Sequence, residues 1–234
     1  MPMPYEHLFF DLDHTLWDFD ANSRAVWEKL YLEHSLQRRL EPDFEVFYKR
    51  YQHHNDVLWE RFRQGTVDRE TLRWKRIYLT LLDFRQPSEA LSKELGEAYL
   101  ALLPRQQKLM DGALELLQFL HGNYQLHLIT NGFETTQWQK LESSGIAHFF
   151  KEVFTSERCE RPKPHREIFD FALKTCATCC EHSLMIGDAL EADVLGAQNA
   201  GWHAAYYTPE GKPHTEKPEY EIAHLLELKK ILHQ

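Results

Sequence analysis

Residues 9–20 read FFDLDHTLWDFD, and the apolar run Leu8-Phe9-Phe10 that leads into them stops on two carboxylates one residue apart, Asp11 and Asp13. Two like charges at the end of a core strand repel each other and need a positive partner to be held there. Outward from this stretch, short β-type runs recur at 8–11, 125–130, 152–155, 184–187 and 203–207. Between the later ones the spacing predicts helices over about 112–121, 133–143, 165–177 and 190–199. Strands alternating with helices of this length imply an α/β fold, a Rossmann-like parallel sheet covered on both faces. Ligands of such sheets bind at the carboxyl ends of the strands, near the point where the strand order reverses.

The segment from about 22 to 103 has a different texture and no convincing strand. Val26 and Leu30 suggest one helix and residues 44–62 a second. Gln64-Gly65-Thr66 breaks the chain, Asp68 can cap a third helix running to Leu82, and Ser88 a fourth that ends before Pro104. An all-helical module is therefore inserted after the first strand, with residues 1–16 and 105–234 as the α/β core and 17–104 as the insertion. Trp59, Phe62, Trp74 and Tyr78 recur at helical spacing and read as core of that module. The tail, 220–233, carries Ile222, Leu225, Leu226, Leu228 and Ile231 at helical spacing and reads as a helix packed back on the core.

The 234 residues are 43% hydrophobic, enough for one substantial core and a smaller second one, and the net charge is -9. That charge argues against a nucleic-acid or anionic-membrane surface. No apolar run approaches the roughly 18 residues of a membrane span, and MPMPYEHLFF lacks a signal-peptide pattern, so the expected location is cytoplasmic. Cys176, Cys179 and Cys180 form CATCC, a C-x-x-C spacing that can mark a metal site. No matching Cys or His pair is evident in the chain, and the group reads as a helix end and turn.

Four polar stations fall at predicted strand ends or just beyond them: Asp11-x-Asp13-x-Thr15; Thr130-Asn131-Gly132; Lys163 in RPKPHREIF, a proline-flanked turn before a helix; and Gly187-Asp188, followed by Asp193. In a parallel sheet all four converge on one edge. Carboxylates, a lysine and a hydroxyl gathered there make sense around a divalent cation and a phosphate.

DLDHT, ITNG, the Lys of RPKP and GDALEAD resemble, in order, the four motifs of the haloacid dehalogenase (HAD) superfamily. The resemblance implies the HAD fold, with the helical insertion similar to a C1 cap that closes over the site and selects small soluble substrates. It also implies roles. Asp11 would be the nucleophile that forms an aspartyl-phosphate. Asp13 would be the general acid and then the base. Thr130 and the backbone N–H groups of Asn131 and Gly132 would hold the phosphoryl oxygens, and Lys163 would neutralise charge. Asp188 would bind Mg²⁺ with Asp11 and the carbonyl of Asp13, a hard oxygen set that suits this ion. Asp193 would contact the metal through water or orient Lys163. Thr15 reads as a turn residue, and His14 carries no catalytic expectation.

Asp13 favours phosphate chemistry, because dehalogenases of the superfamily lack an acid at that position. DHTLWDFDANS, LITNGFETTQWQKLESSGIAHFF and RPKPHREIF are similar to the bacterial house-cleaning pyrimidine 5′-nucleotidase branch. The implied partner is a small phosphorylated metabolite, a nucleoside monophosphate including non-standard pyrimidines, handled by a monomer or homodimer. The alternative is a phosphatase or phosphomutase of sugar phosphates or phosphoglycolate. Trp17 and Phe19 lie where the chain leaves the core, and each reads equally as a substrate contact or as hinge packing.

Overall fold

The computed structural model describes residues 5–40, 43–211 and 213–232. Six strands, β1 (His7–Phe10), β2 (Gln125–Thr130), β3 (Glu152–Thr155), β4 (Ser183–Gly187), β5 (His203–Tyr207) and β6 (Tyr220–Ile222), form one sheet. Their order is β3-β2-β1-β4-β5-β6 and every pairing is parallel. The parallel α/β expectation holds. Leu8, Phe9 and Phe10 are fully buried although alternate residues point to opposite faces, as both-sided burial requires. On one face Phe9 packs with Ile129, Phe154, Phe169, Met185 and Trp202.

The chain divides into two compact units, Met1–Phe19 with Gln107–Gln234, and Asp20–Gln106. Residues 16–18 stay with the sheet unit because they pair with 108–110: Met110 N donates to Leu16 O at 2.9 Å and Asp18 N to Lys108 O at 3.1 Å. The division thus falls a few residues further along the chain than the sequence expectation of 16/17 and 104/105.

The second unit is helical: α1 (Phe19–Glu33, whose first residue belongs to the sheet unit), α2 (Leu36–Arg39), α3 (Phe44–Arg63), α4 (Arg69–Asp83) and α5 (Glu89–Leu102). The side chain of Asp68 accepts from Thr71 N at 2.7 Å and that of Ser88 from Leu91 N at 3.3 Å, the two predicted caps. The aromatic core is not the expected one. Trp27 is fully buried, with its ring centroid 4.5 to 5.3 Å from those of Tyr51, Tyr99 and Phe47. Trp59, Phe62, Trp74 and Tyr78 are only half-buried and pair edge to face, Trp59 with Phe62 and Trp74 with Tyr78. They share helical spacing, but on a face that is only partly covered.

The sheet unit adds α6 (Ala113–Leu120), α7 (Glu134–Ser143), α8 (Ser156–Cys159) and α9 (Arg166–Cys176). A π-type turn over Leu190–Leu195 runs into α10 (Gly196–Asn199), and α11 (Leu228–Leu232) follows the last strand. The tail departs from its helical reading. Tyr220–Ile222 adds to the sheet beside β5, and the helix is confined to Leu228–Leu232 after a short 3₁₀ turn. His233, the end of that reading, lies outside the described residues, as does the MPMP start of the N-terminal one. Among the described residues, no helix is long and apolar enough to cross a membrane.

Candidate active site

β1 lies between β2 and β4, so the carboxyl ends of the three central strands meet at the switch in strand order. Asp11 leaves β1 with its N–H still donating to Ile186 O of β4 at 2.9 Å, which carries the ladder one residue past the strand. The chain then curls: Leu12 O accepts from Leu16 N at 2.9 Å and from Trp17 N at 2.8 Å, while His14 takes φ 65° and is exposed.

Lys163 is buried in the loop before α9, and its ammonium has three acceptors. Nζ donates to Asp11 Oδ1 at 2.6 Å, Asp193 Oδ1 at 2.5 Å and the β2 carbonyl of Ile129 at 2.7 Å. Burial would strip its proton, but the two carboxylates outweigh that and raise its pKa. Asn131 fixes the loop. Its Oδ1 accepts from Lys163 N at 2.7 Å and its Nδ2 donates to Lys163 O at 2.9 Å, so its side chain is spent on holding the lysine backbone. Only its main chain is left to bind a phosphoryl group as the sequence suggested.

Asp193 turns back beneath β4, with Oδ2 accepting from Ala189 N at 2.9 Å. A Cβ on Gly187 would lie 2.1 Å from that same oxygen, which explains the glycine of GDALEAD. Thr15 does more than close its turn. Its hydroxyl donates to Asp188 Oδ1 at 3.0 Å and accepts from Asp188 N at 3.1 Å, tying the β1 loop to the end of β4.

One carboxylate oxygen from each of Asp11, Asp188 and Asp193 falls within 4.8 Å of the others. Three carboxylates against a single ammonium leave excess negative charge in a buried place. Burial, together with the neighbouring carboxylates, pushes Asp11 up to about 8. Burial and the charge of Asp193 push Asp188 up to about 7. Such a set of hard oxygen donors, strained by mutual repulsion, fits a hard divalent cation.

Asp13 is half-buried and bound by two residues that the sequence did not single out. Lys140 Nζ donates to Asp13 Oδ1 at 2.5 Å, and Gln137 Nε2 donates to Asp13 Oδ2 at 3.0 Å and to Thr130 Oγ1 at 2.6 Å. Burial would raise the Asp13 carboxyl, but the Lys140 charge and these hydrogen bonds win and hold it below the usual carboxylate range. Gln137 and Lys140 are buried on α7, three residues apart and so on one helix face. Gly132, whose N–H donates to Thr130 Oγ1 at 3.2 Å, gives Gln137 its room: a Cβ there would sit 2.4 Å from the Gln137 amide carbon. The Lys140 ammonium also lies over Trp17, 4.5 Å from the ring centroid, and 5.7 Å from that of Phe19. Trp17 is fully buried and Phe19 half-buried.

The fold agrees with comparisons to known proteins. Residues 5–201 match the model of the haloacid dehalogenase-like hydrolase family. YfnB of Bacillus subtilis, a HAD-hydrolase by name, is 33% identical over 97% of this chain and 95% of its own. Its magnesium-bound crystal structure superposes with a TM-score of 0.89 over 98% of this chain and 99% of that one. The pyrimidine 5′-nucleotidases YjjG of Escherichia coli and PynA of Streptococcus pneumoniae are each 31% identical, over 98% and 94% of this chain and 99% and 92% of their own. With its motif residues gathered at one sheet edge and nearly its whole length matched, the chain belongs to the haloacid dehalogenase-like hydrolases.

Proposed function

We propose that this chain is a Mg²⁺-dependent phosphatase of nucleoside 5′-monophosphates, with a preference for pyrimidines that extends to non-standard ones, working through an aspartyl-phosphate. The observation that carries the phosphatase reading is the buried contact of Lys163 with Asp11 at 2.6 Å, beside Asp188 and Asp193. The nucleotide preference rests on the resemblance of residues 13–23, 128–150 and 161–169 to the 5′-nucleotidase branch and on the activity for which YjjG and PynA are named.

Asp11 attacks phosphorus, forming an acyl-phosphate bond as the ester P–O bond breaks. Asp13 passes a proton to the leaving nucleoside oxygen, then takes one from the water that attacks the same phosphorus. Inorganic phosphate leaves and the Asp11 carboxylate is regenerated. Lys140 favours the charged form of Asp13, the form this second half needs. The Thr130 hydroxyl and the Lys163 ammonium offset charge on the transferring oxygens, since phosphoryl transfer depends chiefly on positioning and electrostatics. Asp11, Asp188 and the carbonyl of Asp13 would hold Mg²⁺, which when bound neutralises the crowded carboxylates and the phosphate. Asp193 orients Lys163.

The test is phosphate release from a panel of pyrimidine and purine 5′-monophosphates, sugar phosphates and phosphoglycolate in Mg²⁺. The highest kcat/KM is expected on a pyrimidine nucleotide, with no turnover in excess EDTA. A sugar phosphate or phosphoglycolate ahead by tenfold would overturn the substrate assignment, and undiminished rates in EDTA would remove the metal.

A further inference from the structure

Toward the amino ends of the strands, away from the carboxylates, His7 opens β1, His127 is the third residue of β2, and Cys176 ends α9. His7 Nδ1 lies 3.0 Å from His127 Nε2, and Cys176 Sγ lies 3.5 Å from His127 Nδ1. The two imidazoles are parallel within 7°, with centroids 5.2 Å apart. One ligand atom from each of the three residues lies within 4.8 Å of the others. We propose that His7, His127 and Cys176 form a second metal site, for a thiophilic divalent ion of the zinc class, separate from the carboxylate site.

The spacing suits one ion. Two nitrogens about 2.05 Å from a tetrahedral centre stand roughly 3.3 Å apart, and a nitrogen and a sulfur roughly 3.6 Å apart. The 3.0 Å separation is to His127 Nε2 and the 3.5 Å one to its Nδ1, so a single ion requires the His127 ring turned over, which sets Nε2 where Cε1 now stands, between the two neighbours, with the three ligand atoms in the same small space. Imidazole and thiolate select zinc-like ions over Mg²⁺, whereas the aspartates at the other end of the strands do the reverse. Burial pushes His127 down to about 3, which keeps the imidazole in the neutral form that ligates, and pushes the Cys176 thiol up to about 11, so an ion bound there must displace a proton the thiol otherwise holds. Three protein ligands leave a fourth position for water, reached past the half-buried His7 and Cys176. Glu6 and Glu152 bear on the cluster against Lys151, His182 and Arg158, so no single sign of charge bars a cation. Binding releases the Cys176 thiol proton to solvent, one per ion.

The cluster also accounts for part of CATCC. Its metal partners are not the exposed Cys179 but two histidines on strands far away in the chain. An ion there would tie β1, β2 and the end of α9 together.

The probe is Co²⁺, added to the full chain in saturating Mg²⁺ so that the carboxylates are occupied. One equivalent is expected to give a thiolate-to-cobalt charge-transfer band that Zn²⁺ displaces and Mg²⁺ does not. Carboxylate ligands give no such band. Cys176→Ala should abolish it, His7→Ala should weaken Co²⁺ binding at least tenfold, and Zn²⁺ should raise the Tm of the wild type but not of Cys176→Ala. Phosphate release in Mg²⁺ should persist in both variants. If Cys176→Ala does not fold, Cys176→Ser reads the same band. Absence of the band from the wild type, or its survival without the Cys176 thiol, overturns the site and leaves the three residues as a hydrogen-bonded chain.

Discussion

Asp13 is held from one helix by two side chains with different chemistry. Lys140 sets its charge, and Gln137 fixes its direction by sharing one amide between Asp13 and Thr130. Lys140→Met should therefore leave only the weaker Gln137 hydrogen bond and the His14 charge against burial at Asp13, raise its pKa, and lower kcat by about tenfold, a part of the roughly hundredfold or more that a general acid or base supplies. The acid limb of the pH–rate profile should move to higher pH while KM changes little. An unchanged profile and kcat would make Lys140 a packing residue for Trp17. At this scale the sequence discloses Asp11, Asp13, Lys163 and Asp188, because each closes or follows a strand-type run and the ends of parallel strands share an edge. It does not disclose Lys140. A polar residue in mid-helix ordinarily faces water, and only the three-residue spacing with Gln137 hints at a shared inward face. His7 and His127 stay hidden for a related reason: alternation places them on one face of the sheet, but nothing local says that a cysteine meets them there.

Among the elements, the joint between β4 and the π-type turn decides whether Lys163 is correctly held. Gly187 is the last residue of the strand, and the missing side chain is what lets the Asp193 carboxylate come up against it. Gly187→Ala should displace Asp193, release one of the three acceptors of Lys163, and cost about 1–3 kcal/mol, as overpacked buried sites do. A fall in Tm together with loss of phosphate release would bear this out, whereas a variant with wild-type Tm and rate would show that the turn can move aside. The five long-range strands are legible in the sequence because strands buried on both faces read as unbroken apolar runs bounded by turns. β6 is not. It has three residues, and Ile222 falls in register with Leu225, Leu226 and Leu228 at a helical spacing, so the apolar period of the short helix beyond masks the edge strand.

For the molecule as a whole, the crowded carboxylates link stability to pH. Asp11 and Asp188 ionise near 3.8 in an unfolded chain but near 8 and 7 in the metal-free fold. Between those values the folded chain keeps protons that the unfolded chain has released. The stability they represent is present below about 3.8 and is lost as pH rises through 7 and 8. Metal-free protein should therefore lose Tm from pH 5 to pH 8 through these groups, and Mg²⁺ should raise Tm more at pH 8 than at pH 5, where protons compete for the same oxygens. Thermal melts with Mg²⁺ and with EDTA check this, and an Mg²⁺ increment independent of pH would contradict it. The place of β1 has another consequence. Among the described residues it is the first strand, yet it lies inside the sheet, bonded to β2 on one side and β4 on the other. On the ribosome, Leu8, Phe9 and Phe10 emerge long before Gln125 and Ser183 exist to pair with them, and the whole helical unit is made in the interval. The nascent chain must carry this apolar strand without its sheet neighbours while the residues between Phe10 and Gln125 are made, an interval in which chaperones have most to protect.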